Sequence, residues 1–419
     1  MDEAYAIMRG TFEKGPIFHA PKPDIDFITA LGLDPHYKHK RPDTLSFEQY
    51  FRGHYEKMIC GSIQDQINAG TLKPGKGTYR IPQPDKAVCD NAYIHQMRFR
   101  SSNSATIFFQ VIVITEITLF AHLGDMWVSD RRKEWYLIDG IFDTEDVDHH
   151  MTLGNIRIYR AGDEPDGQIL TEYLIPWFDE QQVNDEAERI LKLYIPEALE
   201  KPMRISAKLL AERMKLKVKY LHLASHDNAL GLLFFRDKSI DVLDQVTGEI
   251  VWMDIAAGTI IINAQTVSRD DYEKIVETII HECMHRIEHV PFYHLQKMYN
   301  EDIAYLACPA NIDETYNDPS DPVRWIEWQA REISLCVRMP ARTTRMKIDE
   351  LLKEYNKRWR CGGQAWVWER LVKDLASFYG VSRYQARKRI INLGYEQAQG
   401  VLNYVNGSYV PPYSFAPGT

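Results

Sequence analysis

Residues 268–289 read SRDDYEKIVETIIHECMHRIEH. Ser268 followed by Asp271 has the spacing of a helix N-terminus, where side-chain oxygens satisfy backbone N–H groups that the helix leaves unpaired. From there Tyr272, Ile275, Val276, Ile279, Ile280, Cys283, Met284 and Ile287 recur at intervals of three and four, the stripe of an amphipathic helix packed on a core. His281 and His285 stand about 40° apart around the axis, nearly opposite that stripe, so their rings converge on one point beside the helix. Two neutral imidazoles at this spacing suit a tetrahedral zinc ion. Glu282, offset by about 100° from His281, is too far round to ligate but can reach a water at the metal. The bland reading of HECMH is two solvated histidines on a polar helix face.

Zinc needs a third protein ligand. A third histidine six residues beyond His285 is excluded, because position 291 is Pro291. Downstream carboxylates are Glu301, Asp302, Glu314 and Glu327, and only Glu327 lies in a strong helical pattern, WIEWQAREISLCVRMP, which ends at Pro340. There Ile326, Ala330, Ile333 and Val337 form a packing stripe with Glu327 and Ser334 along its edge. An i,i+4 ion pair with Arg331 accounts for Glu327 equally well from spacing alone.

HECMH, EWQA at 327–330, Met339-Pro340 and ASFYGVSRYQARKRIINLGY at 376–395 together resemble the ImmA/IrrE-type metallo-endopeptidases over residues 186–400. The resemblance implies His281, His285 and Glu327 as Zn2+ ligands and Glu282 as catalytic base. It also implies a zincin-like domain followed by a helix-turn-helix-like bundle, and an intracellular protein substrate such as a helix-turn-helix repressor of stress or mobile-element genes. The chain departs from the family pattern at Arg331, where Asn is usual, at Ile333-Ser334, where Phe-Ala is usual, and at Arg338; these positions bear on the shape of the cleft. For the oxyanion or second-shell role the candidates are His289, Arg331 and Tyr299, each with an ordinary polar role as the plainer reading.

The remaining chain frames this centre. Its 419 residues, 45% hydrophobic and 26% charged, have room for two or three domains. The first residues are acidic where a secretory signal would begin basic, and the apolar run 106–123 is interrupted by Gln110 and Glu116 and reads as a buried strand; a cytoplasmic protein without a membrane span is the expectation. Six cysteines without a CxxC pair fit reduced thiols, with Cys283 and Cys336 as core residues.

The expected fold class is α+β: a β-rich N-terminal domain of unread role over 1–180, a mostly helical zincin-like metallopeptidase domain over 181–340, a helix-turn-helix-like bundle over 341–400 and a C-terminal tail over 401–419. Strands are expected at 105–119, 134–138, 156–159, 217–221, 231–235 and 258–263, and the edge of the last could pair with an extended substrate or lie inside a sheet.

Net charge is −9, yet residues 341–390 hold 13 Lys or Arg against 5 Asp or Glu. Two helices joined at Gly380 carry Arg383, Arg387, Lys388 and Arg389 on the second, so the rival function is a DNA-binding regulator using 367–394; a solvated basic face is the plainer account. The run DTEDVDHH at 143–150 has the residue types of a second metal site, with a polar loop as the plainer reading.

Overall fold

A computed structural model describes residues 17–18, 46–74, 80–101, 106–143, 151–160, 162, 168–225, 228–300, 302–309, 321–358, 364–401, 403–405 and 408–410. Position 144–150 of the DTEDVDHH run, Glu301 and Glu314 lie outside the described residues. The protein is mixed α+β with a β-rich N-terminal region. It divides into two compact units, one running to Trp177 and taking in Glu288–Ile303, the other formed by Phe178–Ile287 and the chain from Ala304.

The first unit is built on a six-stranded antiparallel sheet of order β1-β5-β4-β3-β2-β6, comprising β1 (Ile17–Phe18), β2 (Lys86–Ser101), β3 (Thr106–Leu123), β4 (Met126–Asp143), β5 (Met151–Ile158) and β6 (Gln168–Leu170). The apolar run 106–123 is strand β3, paired along its whole length with β4. Against the sheet lies α1 (Phe47–Asn68), opened by a capping box in which Ser46 and Gln49 satisfy each other's backbone N–H groups. Every fourth residue of α1, namely Phe47, Phe51, Tyr55, Ile59 and Ile63, is buried, and the Phe47 ring meets Phe99, Phe109 and Phe142 at centroid distances of 5.4, 5.6 and 5.2 Å. Leu295 and Met298, from α5 (Val290–Tyr299; α2 to α4 follow below), join this same core. Gly140 of β4 lies under Phe109, whose ring would stand 2.1 Å from any Cβ there.

In the second unit α2 (Glu180–Tyr194) and α3 (Ala207–Arg213) precede a four-stranded mixed sheet of order β12-β8-β11-β7. Its strands are β7 (Lys217–Leu221), β8 (Ala229–Phe234), β11 (Thr259–Asn263) and β12 (Tyr305–Pro309); β9 (Lys238–Leu243) and β10 (Ile250–Ile255) form a separate hairpin. Strand β11 pairs with β7 on one side and β8 on the other. It is therefore an interior strand, so of the two readings of 258–263 the strand inside a sheet holds and the substrate-pairing edge does not.

Helix α4 (Tyr272–Glu288) packs Val276, Ile279, Ile280, Cys283 and Met284 into a core with Ile260, Ile262 and Leu233 of the sheet. Into the same core α6 (Pro322–Arg338) sends Ala330, Ile333, Cys336 and Val337. The bundle α7 (Ala341–Arg358), α8 (Gln364–Tyr379) and α9 (Arg383–Asn392) has its own core, to which Leu335 and Met339 contribute. Helix α6 is thus apolar on two sides, and the polar residues between those sides have few directions left.

Two local expectations need correction. Helix α4 starts later than Ser268: Asp271 Oδ1 accepts the Lys274 N–H at 3.0 Å, while Ser268 Oγ only accepts the Asp270 N–H within the preceding turn. Asp271 is the cap because its carboxylate reaches the N–H three residues on, one of those the first turn leaves unpaired. Tyr272 does not join the stripe; it is 60% exposed, with the Arg204 guanidinium 5.2 Å from its ring centre. Among the described residues Cys60, Cys89, Cys283 and Cys336 are free thiols, and no helix is long and apolar enough to cross a membrane.

Candidate metal centre

Helix α4 brings His281 and His285 to one side as adjacent turns of the same helix, and α6 brings Glu327 to meet them. The two Nε2 atoms are 3.0 Å apart. Glu327 Oε2 lies 3.1 Å from His281 Nε2, and Oε1 lies 3.2 Å from His285 Nε2. Among the described residues this is the group of three side chains whose donor atoms could hold one metal ion. Neither histidine is solvated: His281 is 3% exposed, His285 0% and Glu327 2%.

The donor set fits zinc. Tetrahedral zinc at its usual bond lengths holds adjacent ligand atoms about 3.3 Å apart, close to the separations found here. Two imidazole nitrogens facing each other at 3.0 Å, with a carboxylate closing the triangle, repel unless a proton or a cation lies among them. Burial lowers the proton affinity of His281, which favours the neutral, ligating form. Burial pushes the Glu327 carboxyl up, but the facing His285 and His281 outweigh it and hold Glu327 well below the usual carboxylate range, as an anion.

Glu282 is fully buried and neither of its carboxylate oxygens has a hydrogen-bond partner. Burial, reinforced by the nearby Glu327 charge, raises its pKa well above the ordinary carboxylate value. The carboxylate rests against strand β8 at Gly231, where an added Cβ would lie 2.9 Å from Glu282 Oε1 and 2.7 Å from Thr278 Cγ2. A larger residue at 231 would make Thr278 and Glu282 shift. A buried, unsatisfied acid is rare in a folded protein and calls for a functional cause.

The carboxylate of Glu327 does not pair with Arg331. It turns to the histidines, and the i,i+4 ion pair is excluded by that geometry. Arg331 instead lines a polar cleft together with His281, Glu277, Ser334 and Arg338, closed on the other side by Tyr384, Gln385 and Lys388 of α9. His289 is buried at the start of α5, in the segment that belongs to the first unit. Tyr299 is the last residue of that helix, and its side chain lies outside the described residues.

The bundle forms the turn expected at Gly380, which has φ +66°, and the capping box of Ser382 and Gln385 that opens α9. Of its four basic residues, Arg383 and Lys388 are half-buried and Arg387 and Arg389 are buried. Arg383 pairs with Glu369 and Lys388 with Glu332. Arg387, 6% exposed, donates to the carbonyls of Ala398 and Gln399 at 3.0 and 2.7 Å, and Arg389, 1% exposed, donates from Nε to Met339 O at 2.9 Å. This internal engagement could not be read from the run RYQARKR, because its partners lie elsewhere in the chain.

Comparison with protein-family models, with curated proteins and with solved structures returned no match.

Proposed function

We propose that the protein is a zinc-dependent endopeptidase acting on an intracellular protein, in the manner of the ImmA/IrrE-type enzymes that its motifs resemble. The observation that carries this reading is Glu282: a carboxylate fully buried, unpartnered, and adjacent to a His-His-Glu donor set. A structural metal site needs no such acid, whereas hydrolysis needs a proton acceptor beside the metal.

His281, His285 and Glu327 would hold the ion, two neutral donors and one anion, leaving a net positive centre. Zinc bound there would supply Lewis acidity to a water and to the scissile carbonyl. Glu282 accepts the proton of the attacking water as its oxygen adds to the carbonyl carbon, then delivers that proton to the departing amine nitrogen as the C–N bond breaks. Its raised pKa suits the first half of this transfer, since a carboxylate of ordinary acidity is a weaker base toward the proton of water. The substrate class, a helix-turn-helix repressor being the leading example, rests on the resemblance alone.

The DNA-binding reading draws less support, because Arg387 and Arg389, two of the four cations on α9 that would meet phosphates, are buried against backbone carbonyls. Zinc analysis and peptide cleavage by Glu282→Gln test the proposal. Retained zinc with cleavage reduced by a factor on the order of 10² to 10⁴ is expected; undiminished cleavage removes Glu282 from the reaction.

A further inference from the structure

The polar face of α6 continues past the metal ligand. Glu327, Arg331, Ser334 and Arg338 follow at i, i+4, i+7 and i+11 and fall within about 60° of one another around the helix. Glu327 faces the histidines; the next three residues line the cleft that also reaches His281. Most charged groups around this cleft are matched. Lys388 is paired with Glu332. Glu277 accepts from Gln385 Nε2 at 2.6 Å and stands 3.7 Å from Lys274 Nζ. Arg338 donates to the Gly380 carbonyl and, at 3.4 Å, to Gln385 Oε1.

What is left over is a set of donors. Arg331 Nη2 is buried without a hydrogen-bond partner, as are the Ser334 hydroxyl and Arg338 Nε. Ser334 is 3% exposed and Arg338 2%. No carboxylate among the described residues is paired with Arg331, and His281 lines the same cleft. Arg331 is half-buried, its Nη2 lacks a hydrogen-bond acceptor, and a planar two-oxygen anion is the best match for a guanidinium. The cleft, about 40 Å³, has room for roughly three water-sized groups, the size of a carboxylate and too small for an aromatic side chain.

We propose that this cleft is the specificity pocket of the enzyme and takes a substrate carboxylate on Arg331, with the Ser334 hydroxyl as second donor. The carboxylate is an Asp or Glu side chain close to the scissile bond, or the free C-terminus of the peptide. The inference rests on the peptidase reading for the word substrate, and on the cleft alone for the word carboxylate. Arg331 is here a specificity-determining residue, acting on substrate binding and leaving proton transfer to Glu282.

Calorimetric titration of the zinc-loaded Glu282→Gln protein separates these parts, because it reads binding without turnover. Three probes are needed: a blocked pentaalanine peptide with Asp at its centre, the same peptide with Asn, and the Asn peptide with a free C-terminal carboxylate. Roughly tenfold or tighter binding of one carboxylate probe over the neutral one is expected, and which probe gains identifies the source of the carboxylate. That preference should vanish in Arg331→Gln and weaken in Ser334→Ala, with zinc content unchanged and no loss of thermal stability in either. Arg331→Gln breaks no ion pair among the described residues, and Ser334→Ala is the milder second variant should the first unfold. Equal binding of all three probes overturns the proposal, as does a preference that survives Arg331→Gln, the result expected if the carboxylate sits on the zinc. If the preference is present but the wild-type enzyme cleaves none of the three peptides and no other protein substrate, the pocket stands and the peptidase reading falls.

Discussion

Glu282 is an acid with both oxygens buried and unpartnered. Its pKa is raised by burial and by Glu327, so in the metal-free protein the folded state keeps a proton that the unfolded chain releases near pH 4.3. The folded state then binds more protons than the unfolded one, and its stability falls as pH rises above that value until the folded carboxyl ionises. Glu282→Gln removes this liability. Metal-free Glu282→Gln should therefore melt at a higher temperature than metal-free wild type, by a margin that is small at pH 4 and widens toward neutrality. A margin independent of pH would mean that Glu282 holds its proton equally well in the folded and unfolded chains, so that burial does not raise its pKa. At this scale the sequence is highly legible: HECMH placed two histidines and an acid on adjacent faces of one helix. Glu327 was less so, because an i,i+4 pair with Arg331 satisfies the same spacing and only the burial of α6 against α4 decides between them.

At the scale of elements, periodicity found α4 and α6 because each has one continuous apolar stripe. It missed α1, whose aromatic residues at every fourth position drift round the helix and whose flanking segments read as loops. It also read 258–263 only as a strand; whether a strand is interior or edge depends on β7 and β8, which pair with it from distant parts of the chain. Helix α9 shows the reverse problem, a basic composition that suggests DNA and a packing that uses it otherwise. Arg389 is buried with its Nε on the carbonyl of Met339, the last residue before Pro340. Replacing it by Met keeps much of the volume but leaves that carbonyl without its donor, so Arg389→Met should destabilise the protein by roughly 1 to 3 kcal/mol in denaturant unfolding. An unchanged midpoint, accompanied by loss of salt-sensitive DNA binding, would instead favour the regulator.

For the whole molecule, the division into two units matters more than the count of elements. The β-rich unit has its own core around Phe47, Phe109 and Phe142, whereas the donor set belongs wholly to the second unit. A ligand that binds only folded protein stabilises by about 4 kcal/mol at a thousandfold excess over its Kd. In scanning calorimetry zinc should raise the melting transition of the second unit and leave that of the first in place; a uniform shift of all heat absorption would show the two melting as one. The role of the first unit was not legible in the sequence, since long antiparallel strands and a covering helix specify a scaffold without specifying a ligand.

Zinc K-edge X-ray absorption on the zinc-loaded protein tests the central claim most directly. Two imidazoles and one carboxylate predict nitrogen and oxygen scatterers alone at about 2.0–2.2 Å, with the outer-shell pattern of two histidine rings. Sulfur at about 2.3 Å, a single imidazole, or an unchanged spectrum in Glu327→Ala would contradict it.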